Sequence, residues 1–155
     1  MKIVSLTILS VAWVCIAGAA DQTHWIGTWG ESPAPQLSNP AQMFASKLLF
    51  SNQTIREIVH TSAGGNAVRV RLSNAYGPDS ITIGAAHIAL RDNKSAVLPA
   101  SDRTITFGGR PFATIPANAM VLSDPVKLEV PALSDVAISV FRPKPTTGAG
   151  IHYAA

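Results

Sequence analysis

The stretch Val68-Arg69-Val70-Arg71-Leu72 constrains this chain more than any other. In an extended strand successive side chains alternate faces, so Val68, Val70 and Leu72 share one side while Arg69 and Arg71 share the other. Similar short apolar runs recur as "TIREIVHTS" (54–62), "SITIGAAHIAL" (80–90), "RTITFGG" (103–109), "ATIP" (113–116), "VKLEV" (126–130) and "DVAISVFR" (135–142). Gly, Pro, Asn and Asp interrupt them, and no stretch from Ile55 onward holds a 3.6-residue period long enough for a helix. The expected fold is therefore all-β: an antiparallel, jelly-roll-like β-sandwich with closely spaced strands.

The punctuation refines that expectation. Ala63-Gly64-Gly65-Asn66 has glycines able to take the positive φ of a hairpin turn, which predicts that "TIREIVHTS" and "VRVRL" pair directly. Gly108-Gly109-Arg110-Pro111 and Asp124-Pro125 cannot lie inside a central strand and mark turns. Ile81 and Ile83 share one phase and Ile88 and Leu90 the opposite one, which predicts a bulge near Gly84-Ala85. Ahead of the β region, "GTWGESPAPQLSNPAQMF" is proline-rich and aperiodic, and reads as a crossing loop anchored by Trp25 and Trp29.

The first 20 residues carry one charge, Lys2, then an apolar run from Ile3 to Ile16, then Ala17, Gly18, Ala19 and Ala20. This is the pattern of a cleavable signal peptide, and the run is shorter than the ~20 residues that span a bilayer. The expected organisation is a signal peptide over 1–20, a sandwich over 21–145 and the start of a linker over 146–155. Export to the periplasm or the medium follows, without stable membrane insertion. Cleavage would also remove Cys15, the only cysteine, so the fold must be held without disulfides. Trp13 and Val14 ahead of Cys15 do not fit a lipid-attachment signal. Asn52-Gln53-Thr54 and Asn93-Lys94-Ser95 match the glycosylation sequon, which matters only in a eukaryotic host. With Lys2 gone the net charge falls from +3 to +2, and the basic residues are scattered, so no stripe for nucleic acid is expected.

The chemistry-bearing residues are few. Gly77-Pro78-Asp79-Ser80-Ile81-Thr82 becomes "GDSIT", a nucleophile-like string, only if Pro78 is deleted. A nucleophilic serine needs a tight turn, a helix behind it and an oriented base, whereas "ITI" after Ser80 continues as a strand. Asp21-Gln22-Thr23-His24 has the Asp-x-x-His spacing of an orienting acid and its base, but lies at the expected new N-terminus, away from any rigid framework. No Asp or Glu is placed by pattern beside His60 or His87. Those two and His152 lack paired ligand spacing, so no metal or other cofactor is expected. Trp25 and Trp29 are the candidate substrate-binding residues, able to stack on a sugar ring, although aromatics more often serve as packed anchors. The glycine pairs are turn glycines, since no phosphate-loop lysine accompanies them.

The segments "WIGTWGESP", "NQTIREIVHTSAGGNAVRVRLSNAYG", "ITIGAAHIALR", "SDRTITFGGRPFATIPANAMVLSDPV" and "VPALSDVAISVF" together resemble the N-terminal β-sandwich domain of a group of secreted bacterial SGNH (GDSL-type) hydrolases. The similarity runs from about Trp25 to His152. In that family the nucleophile, oxyanion-hole and Asp-x-x-His blocks all follow this region, so the resemblance assigns no catalytic residue here. It implies a non-catalytic accessory domain, a fragment of a parent hydrolase acting on esters of carbohydrates or lipids, with the catalytic domain as partner. The alternative is a free-standing extracellular carbohydrate-binding or adhesion module.

Overall fold

A computed structural model describes residues 24–32 and 50–145. The expected signal peptide and linker, Asp21 and His152 lie outside them. In chain order the strands are β1 (Gln53–Thr61), β2 (Gly65–Val68), β3 (Arg71–Ser73), β4 (Ile81–Ile83) and β5 (Ala85–Leu90). They continue with β6 (Arg103–Thr104), β7 (Ala113–Ile115), β8 (Met120–Leu122), β9 (Val126–Val130) and β10 (Ser134–Arg142). One 3-10 turn, Pro99–Ser101, is the only helical element among the described residues. Every strand pairing is antiparallel.

One layer is a four-stranded sheet in the order β1-β10-β5-β6, and the other is assembled from the pairs β2–β9, β3–β8 and β4–β7. Between them lies a single apolar core. The sheet contributes Val59, Ala86, Ile88 and Val136; the pairs contribute Ile81, Ile83, Ile115, Val126, Leu128 and Val130, and Val70 joins them from the break between β2 and β3. "VKLEV" gives the cleanest alternation, buried at Val126, Leu128 and Val130 and exposed at Lys127 and Glu129. The chain is thus an antiparallel β-sandwich, as the period-2 segments require.

Several local expectations change. β1 does not pair with β2: it lies against β10 along its whole length, from Gln53 opposite Arg142 to Thr61 opposite Ser134, while β2 pairs with β9. The 62–64 link between β1 and β2 therefore crosses between layers instead of closing a hairpin. The glycines there do not take positive φ; Gly108 and Gly109 do. Gly64 is required for a different reason, since a Cβ there would lie 2.6 Å from the Val130 carbonyl oxygen and 2.7 Å from the Ala132 nitrogen. Turn composition specifies that a chain turns and leaves its strand partner open; a nine-residue ladder then outcompetes a short hairpin.

The phase change at Gly84 is real, but its cause is a change of layer and not a bulge. Before it, β4 pairs with β7; after it, β5 pairs with β10. Ile81 and Ile83 are buried on one phase, then Ala86 and Ile88 on the other. "VRVRL" likewise splits into β2 and β3, although its alternation holds, with Val70 buried and Arg69 and Arg71 exposed. At the break the Val70 N–H donates to Ser123 Oγ (2.9 Å) and the Ser123 N–H to the Val70 carbonyl (2.9 Å), so both backbone groups of buried Val70 are paired. "RTITFGG" gives only two ladder residues before Ile105 and Phe107 turn inward. The Asp124 carboxylate closes the turn that follows, accepting from Thr106 Oγ1 and the Gly108 and Gly109 N–H groups. Those bonds, with Gly109 the strongest influence, hold its pKa below the ordinary carboxylate value.

Candidate functional site

The outer face of the four-stranded sheet carries a polar row. Arg56 on β1 is opposite Ser139 on β10, Ser139 is opposite His87 on β5, and His87 is opposite Thr104 on β6. Alternation sends Val59, Val136 and Ile88 into the core and this row outward. Arg56 donates from Nε to Ser139 Oγ (2.8 Å) and from Nη1 to the Ser95 carbonyl (2.6 Å), which ties the β5–β6 connection down over the sheet. His87 Nδ1 meets both carboxylate oxygens of Asp102, at 3.2 and 3.1 Å.

Between the row and the β5–β6 connection is an open cleft of about 350 Å³. Its floor consists of Ala89 and Ala137, 2% and 1% exposed, and Val97 and Pro99 form an apolar wall. Arg56, Ser139, His87 and Asp102 supply the polar side. The floor is low because two alanines sit where the neighbouring outward positions carry Arg56, Ser139 and His87.

Beyond the Ile58–Ala137–Ala89 row, two outward rows from Arg56, is a second charged group. His60 Nδ1 lies 2.8 Å from one oxygen of Asp135, its cross-strand partner, and Arg91 Nη1 donates to the other at 2.7 Å. These two hydrogen bonds, His60 first and Arg91 second, hold the Asp135 carboxyl below its ordinary value of 3.8. A carboxylate with a depressed folded-state pKa stabilises the fold above its unfolded value, and that contribution is lost as pH falls through the folded one. Asp135→Asn is therefore expected to lower stability near pH 7, with the gap from the unsubstituted protein closing as the pH falls below the ordinary carboxylate range. Urea unfolding of both proteins across that range measures it; a gap that widens on acidification would have the sign wrong.

Both histidines thus have an orienting carboxylate, contrary to the sequence-based expectation. The signal was absent from local spacing because Asp102 reaches His87 across a 15-residue separation and Asp135 reaches His60 across 75. Strand register, set by long-range pairing, brings Asp135 beside His60, while the β5–β6 connection carries Asp102 back to His87. Ser139, His87 and Asp102 have the residue types of a hydrolytic triad. Yet Ser139 Oγ accepts from Arg56, and among the described residues no hydrogen bond joins it to His87. It also sits mid-ladder, between β1 and β5, where backbone N–H groups pair with neighbouring strands and are not gathered into an oxyanion hole.

Ser80 is exposed, directly before β4, and a strand follows it where an elbow requires a helix. No hydrogen bond among the described residues links it to a histidine. His24 is exposed at the edge of the described region. Trp25 and Trp29 are 41% and 47% exposed, so neither is a core anchor. Their segment is fastened by Thr28 instead, whose hydroxyl and carbonyl hydrogen-bond to Ser62 and Ala63. The Arg69 guanidinium covers the Trp25 ring at 5.4 Å from its centroid, and neither tryptophan lines the cleft. Among the described residues no three of His, Cys, Asp and Glu gather as a metal site, and no helix is long and apolar enough to cross a membrane. The chain matches no protein-family model and no curated protein.

Proposed function

We propose that this chain is the non-catalytic accessory β-sandwich of a secreted SGNH-type ester hydrolase, whose catalytic domain is its partner. The observation that carries the reading is the extended sequence resemblance from Trp25 onward, which covers the strands and turns of the sandwich in order. The geometry around "GPDSIT" supports it. Ser80 lies at a loop-to-strand junction, and among the described residues no histidine is hydrogen-bonded to it.

The second reading, a free-standing binding module, is favoured by the cleft between Arg56 and Asp102. The coding sequence beyond Ala155 separates the two. An in-frame apolar strand followed within a few dozen codons by an uninterrupted Gly-Asp-Ser is expected for the accessory domain. A stop codon with no such frame would remove that reading and leave the module.

A further inference from the structure

We infer that the cleft on the outer face of the four-stranded sheet binds a uronate residue of a carbohydrate, with the carboxylate on Arg56 and ring hydroxyls on His87 and Asp102. The inference stands on the cleft alone, whether or not a catalytic domain adjoins the sandwich.

The polar groups are arranged for a ligand that is acidic at one end and hydroxylated at the other. Arg56 is already oriented by its bonds to Ser139 and Ser95, which use Nε and one Nη1 hydrogen, and among the described residues its Nη2 amino group has no partner. A pre-placed guanidinium is well suited to a carboxylate, because less freedom is lost on binding. His87 has Nδ1 committed to Asp102, and its Nε2 has no protein partner among the described residues. Arg56 and His87 stand two strands apart, roughly 10 Å between their backbones, with Ser139 midway. Hexuronates separate a C5 carboxylate from hydroxyls across the ring, which suits that spacing.

Competing ligand classes fit less well. A second carboxylate near His87 would meet the charge of Asp102, which disfavours diacids. A neutral sugar usually gains much of its affinity by stacking on the face of a Trp, Tyr or Phe, and among the described residues none of these lines the cleft. A volume of about 350 Å³ is at the small end of ligand sites, with room for a sugar ring over the alanine floor and against Val97 and Pro99.

Titration of the protein with sodium galacturonate, sodium acetate and galactose, followed by backbone amide NMR shifts, tests this. Galacturonate is expected to shift resonances of Arg56, His87, Ala89 and Ser139 saturably, and to bind at least about tenfold more tightly than acetate or galactose. Arg56→Gln is expected to weaken galacturonate about tenfold or more while leaving the thermal midpoint within a few degrees. Equal response to acetate and galacturonate would reduce the cleft to a simple anion site and overturn the inference. So would equal response to galactose, or saturable shifts confined to other surfaces. Comparison among the three ligands on the unsubstituted protein decides the matter even if Arg56→Gln does not fold.

Discussion

Val70→Asp is expected to lower stability by about 4 kcal/mol, and Arg71→Asp, one residue along, by less than about 0.5 kcal/mol. Val70 is 7% exposed and belongs to the apolar core with Val126 and Ile81. Its backbone is already saturated by Ser123, so a carboxylate placed there would find no spare donor on that residue. The cost is that of burying a charge without compensation, which a raised side-chain pKa relieves only in part. Arg71 sits on the exposed phase, where the change alters solvated charge alone. Equilibrium urea titrations of the two variants measure the contrast. Similar losses in both would show that the alternating faces of this segment do not lie as described.

Nearly as large an effect is expected at Asn74. This residue is 6% exposed, and its Nδ2 amide donates to the carbonyls of Asp79 (2.9 Å), Pro116 (2.8 Å) and, more weakly, Ile115 (3.3 Å). It thereby fastens the 75–80 loop to the end of β7. Asn74→Ala removes the donors and leaves buried carbonyls unpaired, for an expected loss of about 2–4 kcal/mol. Asn74→Asp should be at least as damaging near neutral pH, because an ionised carboxylate would face those same oxygens. Gly77 belongs to the same unit: its N–H donates to the Asn74 carbonyl (3.1 Å), and a Cβ would overlap Asn74 Oδ1. Gly77→Ala should therefore approach the Asn74→Ala loss. A Gly77→Ala protein of unchanged stability would show that the loop does not close on Asn74. Gly77 to Ser80 accordingly form the far side of a loop held by Asn74, and Ile81 and Thr82 already belong to β4.

Sheet class was legible because alternation is a local property. Val68 through Leu72 and Val126 through Val130 declare which face is buried regardless of their partners. Pairing was not legible: two glycines after Ser62 are equally compatible with a hairpin and with a crossing, and only the ladder between β1 and β10 decides. β8 passed unnoticed because Met120 and Leu122 are 58% and 47% exposed, so apolar residues occupy its outward phase and the alternation is erased. Trp25 and Trp29 stand out in the sequence as large aromatics, whereas the cleft is built from residues unremarkable in sequence. Ser139 reads as one polar residue in "AISV" and His87 as a lone strand histidine. Register alone aligns them with Arg56, and the β5–β6 connection alone delivers Asp102.

The measurement that bears most directly on the non-catalytic reading is hydrolysis of a small activated ester such as 4-nitrophenyl acetate. Catalysis would need a base positioned to take a serine proton and donors aimed at the developing oxyanion, and loss of either commonly lowers the rate by orders of magnitude. Ser80 has no such base among the described residues, and Ser139 Oγ is engaged by Arg56 on a strand without an oxyanion hole. The expected result is no turnover above a buffer control, unchanged by Ser80→Ala or Ser139→Ala. Turnover that disappears in either variant, with the fold intact by circular dichroism, would contradict that reading and make the corresponding serine the nucleophile of an enzyme.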